Sequence, residues 1–173
     1  MLSYGNAFRR CPVQVAAFLH MTELLILIAG LPGSGKTTRL CQMLREHWLV
    51  FDDYKREAFN HSSKFRDSRK FRALVTALRD GVRCTVADID FCKTESREEA
   101  EDILREEVPG LTLRWHYFAN DLLACEDNIK SRNRDCMQGE LDKAKDLSQS
   151  YCIPQDAVEL AVRRNTGRRE AEN

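Results

Sequence analysis

The chain has 173 residues, enough for one domain with its own apolar core and no need of disulfide staples. Its 27 lysines and arginines balance 27 aspartates and glutamates, so no global basic field advertises nucleic acid, although a local basic groove stays open. A mean hydropathy of -0.48 argues against an integral membrane protein, and the longest apolar run falls far short of the roughly 18 residues of a membrane span.

The first twenty residues differ from the rest of the chain. They carry Arg9 and Arg10, no acidic residue, and a weak apolar run, 13–19, broken by Gln14. No small-residue cleavage site follows that run, so it does not read as a secretory signal. The domain is expected to begin at Met21 and run to residue 164. Residues 1–20 then form a poorly ordered extension, and 165–173 a charged, frayed tail.

Five apolar residues, 24–28, predict a strand buried on both faces of a parallel sheet. Directly after it comes Gly30-Leu31-Pro32-Gly33-Ser34-Gly35-Lys36-Thr37, which satisfies G-x-x-x-x-G-K-[ST]. Glycines let such a loop curl until successive N–H groups point inward at phosphate oxygens. Lys36 can reach the β- and γ-phosphates, and the Thr37 hydroxyl can hold Mg²⁺. Thr38 follows in the helix whose positive end, near Gly35, faces the same anion. The loop as a whole, residues 30–38, is the expected nucleotide site.

A helix follows over 38–47, with Leu40, Met43 and Leu44 on one face. A second strand, 48–51, closes on Asp52 and Asp53. Residues 54–80 are helical in pattern, with Phe65, Phe71, Leu74, Val75 and Leu78 facing a core and Gly81 as the stop. A third strand, 83–87, ends at Asp88-Ile89-Asp90. Thr94 or Ser96 is expected to cap an acidic helix that Pro109-Gly110 ends. Residues 111–118 alternate as a fourth strand. Asp121 opens a helix reaching Arg132, 138–150 is helical, and a short last helix is expected over 155–164. Strands alternating with helices in this way predict an α/β fold, a parallel sheet wrapped on both sides. Ligands in such folds sit at the carboxyl ends of the strands.

That rule singles out Asp52, Asp53, Asp88 and Asp90. A carboxylate beside the γ-phosphate can take the proton of an attacking hydroxyl or hold Mg²⁺ through water. Arg132 and Arg134 lie late in the helix from Asp121, where a guanidinium can close over the equatorial oxygens of a phosphoryl group in transfer. Seven cysteines (Cys11, Cys41, Cys84, Cys92, Cys125, Cys136, Cys152) show no Cys-x-x-Cys spacing and no clustered histidines. They read as buried, reduced thiols of a cytoplasmic protein.

From residue 24 to about 162 the chain resembles the small P-loop kinases of the polynucleotide-kinase and zeta-toxin type, and among them compact bacterial ATP-binding proteins described as kinase-like. The resemblance is carried by the loop, by Phe51-Asp52-Asp53-Tyr54-Lys55, by Ala87-Asp88-Ile89-Asp90, by Phe118-Ala119-Asn120-Asp121, by 128–134, and by Tyr151-Cys152-Ile153-Pro154. It implies a three-layer P-loop fold of the nucleotide-kinase kind. It further implies an ATP- and Mg²⁺-dependent phosphotransferase acting on a hydroxyl acceptor: a nucleic-acid 5′ end, a nucleotide or a small molecule. Asp52 would be the general base, with Asp53 beside it. Lys55 and Asp88 would contact the acceptor, and Arg132 or Arg134 would be the lid arginine. Lys55 stands where the family has arginine, which loses a bidentate phosphate clamp. Residues 95–107 carry seven acids against two arginines, which argues against a polynucleotide acceptor. The second reading is an ATPase, or a nucleotide-regulated binding module without an acceptor.

Overall fold

The computed structural model describes residues 23–52 and 69–165. The expectations for the N-terminal extension, for Asp53, Lys55 and Phe65, and for the tail after Asn165 lie outside the described residues.

In chain order the elements are β1 (Leu25–Ala29), α1 (Lys36–Arg45), β2 (Leu49–Asp52), α2 (Arg69–Arg79), β3 (Cys84–Ala87), a 3-10 turn (Asp90–Cys92), α3 (Thr94–Glu107), β4 (Leu113–Phe118), α4 (Leu122–Arg132), α5 (Met137–Ser150) and β5 (Val158–Leu160). The strands form one sheet in the order β2-β3-β1-β4-β5, with every pair parallel. Leu25 stands opposite Cys84 on one side and Leu113 on the other, so β1 is central.

The unbroken apolar run of β1 follows from that place. Leu25, Leu27 and Ala29 join a core with Phe71, Leu74 and Leu78 of α2 and Ala100 and Leu104 of α3. Ile26 and Ile28 point the other way, against Leu40 and Met43 of α1 and Phe118. Each fully buried aliphatic side chain of this kind contributes about 1.5–3 kcal/mol. Trimming Leu27 to alanine would cost about 2–5 kcal/mol through lost burial and the cavity left behind.

Two helix stops read from the sequence hold, because Gly81 and Gly110 both sit at positive φ (74° and 78°). The expected N-cap at Asp121 is also present: its Oδ1 accepts from the backbone N–H of Ala124 at 2.9 Å. Other expectations change. Thr94 is the first residue inside α3 rather than its cap, Lys93 precedes it with no side-chain capping bond, and Ser96 is buried in the first turn. Leu44 is 61% exposed, since α1 turns only Leu40 and Met43 fully inward.

The last expected helix is a strand. Residues after Pro154 make a turn, and Val158–Leu160 pairs with His116–Phe118 of β4. Short apolar stretches are ambiguous between helix and strand by periodicity. The open edge of β4 decides this one, because pairing satisfies backbone groups that a helix would leave bare. Of the six described cysteines only Cys84, Cys92 and Cys125 are buried; Cys41, Cys136 and Cys152 are exposed. No helix among the described residues is long and apolar enough to cross a membrane.

Candidate functional site

The loop between β1 and α1 emerges at the carboxyl end of the central strand. Gly33 and Gly35 lie at φ 81° and 108°, which brings the chain round before α1 begins at Lys36. A Cβ on Gly33 would collide with the carbonyl oxygen of Cys125 on α4, so this turn also requires glycine for close packing. The first turn of α1 holds no acidic residue, leaving its positive end unopposed.

Lys36 folds back over the loop. Its Nζ donates to the carbonyl oxygens of Gly30 at 2.6 Å and Leu31 at 3.0 Å. Burial pushes the ammonium below the usual lysine range. The opposing negative charge comes from Asp52 and Asp88, since the neighbouring thiols Cys92 and Cys125, each pushed up to about 11 by burial, are neutral at physiological pH. Ser34 is buried, and among the described residues its Oγ finds no hydrogen-bond partner. A buried hydroxyl without a partner, a helix N-terminus and a movable ammonium around one curled backbone suit an anion with several oxygens.

Two clefts meet at this loop. The first, about 580 Å³, runs from Gly33, Gly35 and Thr38 along Arg39 and Gln42 to Phe118, Leu160, Ala161 and residues 163–165. The second, about 590 Å³, takes the other side of the loop, with Lys36 and Thr37, Asp88 and Asp90 below, and Cys136, Gly139, Glu140 and Lys143 of α5 as its far wall. Arg132, at the end of α4, lines both. Arg134 lines neither; its guanidinium lies 4.0 Å from Glu140 near the start of α5.

The strand-end acids separate. Asp88 is 3% exposed, follows β3 directly, accepts from the backbone N–H of Asp90 at 2.8 Å and faces the second cleft. Asp52 is exposed at the end of edge strand β2, opposite Ala87. It lines neither cleft, yet it is near enough to favour the charged form of Lys36. The acidic helix α3 has no residue in either cleft. Its Glu98, Glu101 and Asp102 line a separate cavity of about 270 Å³ beside Trp115.

Asn128 was legible only as part of a motif. It is 5% exposed, and its amide nitrogen donates to the carbonyls of Gly33 and Arg163, each at 2.9 Å. Its Oδ1 accepts from the backbone N–H of Asn165 at 2.6 Å. The available signal was a polar residue on the buried face of α4, in line with Ala124, Cys125 and Ile129. Tyr151, another motif residue, has a packing role: its hydroxyl donates to the Phe118 carbonyl at 2.7 Å and its ring lies 5.7 Å from that of Tyr117.

Among solved structures, a gluconokinase from Sinorhizobium meliloti 1021 superposes with a TM-score of 0.50 at 15% identity, covering 79% of this chain and 81% of its own. A sugar kinase from Janibacter sp. HTCC2649 gives a TM-score of 0.51 at 15% identity, covering 80% and 84%. The chain has the fold of the P-loop kinases. At that identity the likeness speaks for architecture alone: an all-parallel five-stranded sheet flanked by helices. No family model matches the sequence, and comparison with curated proteins gives no match.

Proposed function

We propose that this chain is an ATP-dependent phosphotransferase that moves the γ-phosphate of ATP to a hydroxyl acceptor. The observation that carries the reading is the meeting of two clefts on one phosphate loop, with Arg132 on the wall of both. An ATPase needs room for water beside the γ-phosphate; a second cleft as large as the first supports an organic acceptor.

In this reading residues 30–38 cradle the triphosphate, and the base lies in the first cleft against the apolar surfaces of Phe118, Leu160 and Ala161. Lys36 exchanges its two carbonyl partners for phosphate oxygens, and the arriving negative charge favours its charged form. Thr37 would hold Mg²⁺, with Asp88 placed to act through water. When bound, the ion would neutralise charge on the β- and γ-oxygens. The acceptor hydroxyl attacks the γ-phosphorus, the bond from that phosphorus to the β–γ bridging oxygen breaks, and ADP leaves. Asp52 takes the hydroxyl proton, and Arg132 stabilises charge on the equatorial oxygens. Asp53 and Lys55 are proposed to orient the acceptor, with Arg134 an outer contact. The sequence motifs resemble those of the polynucleotide-kinase and zeta-toxin branch, whereas the two structural neighbours bear the names of a gluconokinase and a sugar kinase. Both acceptor classes belong in the assay.

The test is transfer of label from [γ-³²P]ATP with Mg²⁺ to a panel of gluconate, simple sugars, nucleosides and 5′-hydroxyl oligonucleotides. Label is expected in an acceptor and lost in Asp52→Asn. Release of free phosphate alone, at an unchanged rate in that variant, would leave the ATPase reading in its place.

A further inference from the structure

The residue with the most completely used side chain near the loop is one to which the reaction gives no chemical task. Both amide protons of Asn128 and its carbonyl oxygen are engaged, and the partners belong to two different walls of the first cleft. Gly33 is in the phosphate loop. Arg163 and Asn165 belong to the strap that follows β5 and runs along the outer wall. Asn128 itself is on α4, one helical turn before Arg132.

We infer that Asn128 is a positioning residue that locks the strap to the phosphate loop, so that the base side and the phosphate side of the first cleft are held as one site. The inference rests on reading that cleft as the nucleotide site. A buried amide with three good hydrogen bonds is costly to disturb, because each partner left behind would be an unsatisfied backbone group. Among the described residues the strap's other ties are the part-buried packing of Val162 against the core and two weak ones. β5 contributes only three residues to the sheet, and the ion pair between Arg164 and Asp127 spans 3.8 Å with both side chains more than half exposed. Asparagine is also needed chemically. Aspartate could still accept from the Asn165 N–H but, when ionised, would turn a carboxylate toward the carbonyls of Gly33 and Arg163.

The consequence is a split between two ligands. Tripolyphosphate engages the loop alone, whereas ATP engages loop and strap together. In calorimetric titrations Asn128→Ala, which adds no charge beside the loop, is expected to bind ATP about 10- to 100-fold more weakly than the unmodified chain, and tripolyphosphate within about threefold of it. Asn165→Pro removes the strap's N–H without touching the interior of α4, and is expected to give the same selective loss. It decides the question if substitution at position 128 prevents folding. Equal loss of both ligands, or no loss of either, would overturn the inference. Hydrogen exchange separates its failure from failure of the nucleotide reading. If the unmodified chain binds neither ligand, the nucleotide assignment is wrong. The tie itself is then decided by the Asn165 amide, which must be protected in the unmodified chain and exchange freely in Asn128→Ala.

Discussion

The ammonium of Lys36 donates a 2.6 Å hydrogen bond to the carbonyl oxygen of Gly30, the residue that opens its own loop. Charge-assisted bonds of this kind are worth about 1.5–3 kcal/mol when no ligand competes. The lysine is therefore held inside the loop until phosphate oxygens replace the carbonyls. Lys36→Ala is expected to weaken ATP binding by about 100-fold or more, measured by calorimetry, because Lys36 is the one cation within residues 30–38.

Two glycines should respond in opposite ways to the same change. Gly33→Ala places a methyl against the Cys125 carbonyl at a backbone angle that alanine rarely adopts. It should cost at least about 1–2 kcal/mol of stability and with it the loop geometry. Gly139 lies within the first turn of α5, at ordinary helical angles, and a Cβ there meets nothing within 4 Å. Gly139→Ala is expected to stabilise the protein by about 0.5–1 kcal/mol. Thermal melts of the two variants should move to either side of the parent.

His116 gives a pH dependence of defined sign. Burial, with Arg39 and Arg114 adding to it, lowers its pKa to about 4. Above about pH 7.5 the imidazole is almost wholly neutral whether the chain is folded or not, and its contribution is level. As the pH falls from about 6.5 towards 4, the unfolded chain takes up a proton that the folded chain refuses. Stability drops through that window, by at most about 3 kcal/mol and by less where solvent screens the ring. Urea midpoints at about pH 7.5 and pH 5 should lie further apart in the unmodified chain than in His116→Gln, which cannot take up that proton.

Arg132 and Arg134 differ in position by one helix end, and activity should follow that difference. Asn133 between them closes α4 at positive φ, and Arg134 beyond it lines neither cleft. Arg132→Ala should lower turnover of labelled ATP by about 100- to 1,000-fold, the usual cost of removing a charge-stabilising donor. Arg134→Ala should stay within about threefold, since its side chain is exposed and its partner Glu140 is 4.0 Å away.

These residues also show what was legible in the sequence. The phosphate loop was readable because its chemistry fixes both residue type and spacing, and β1 because burial on two faces leaves no room for polar residues. Choosing between Arg132 and Arg134 was not possible, since the αL turn at Asn133 has no clear mark in a run of charged residues. β5 was misread because three residues of strand carry no period, and what makes them a strand is the edge of β4, more than thirty residues earlier in the chain. Asn128 sits among apolar neighbours on a buried face, and only the fold reveals that its partners are 35 to 95 residues distant.

The central position of β1 bears on how the chain is made. Both neighbours of β1 are synthesised after it, β3 first and β4 later, and the backbone that Asn128 ties together spans Gly33 to Asn165. A ribosome that has delivered the loop, α1 and β2 has delivered a hydrophobic strand with nothing to pair with on either side. Contacts of such long sequence separation form late and leave the early chain exposed to chaperones and to aggregation. The strap that would complete the proposed nucleotide site therefore emerges more than a hundred residues after the loop that carries its signature.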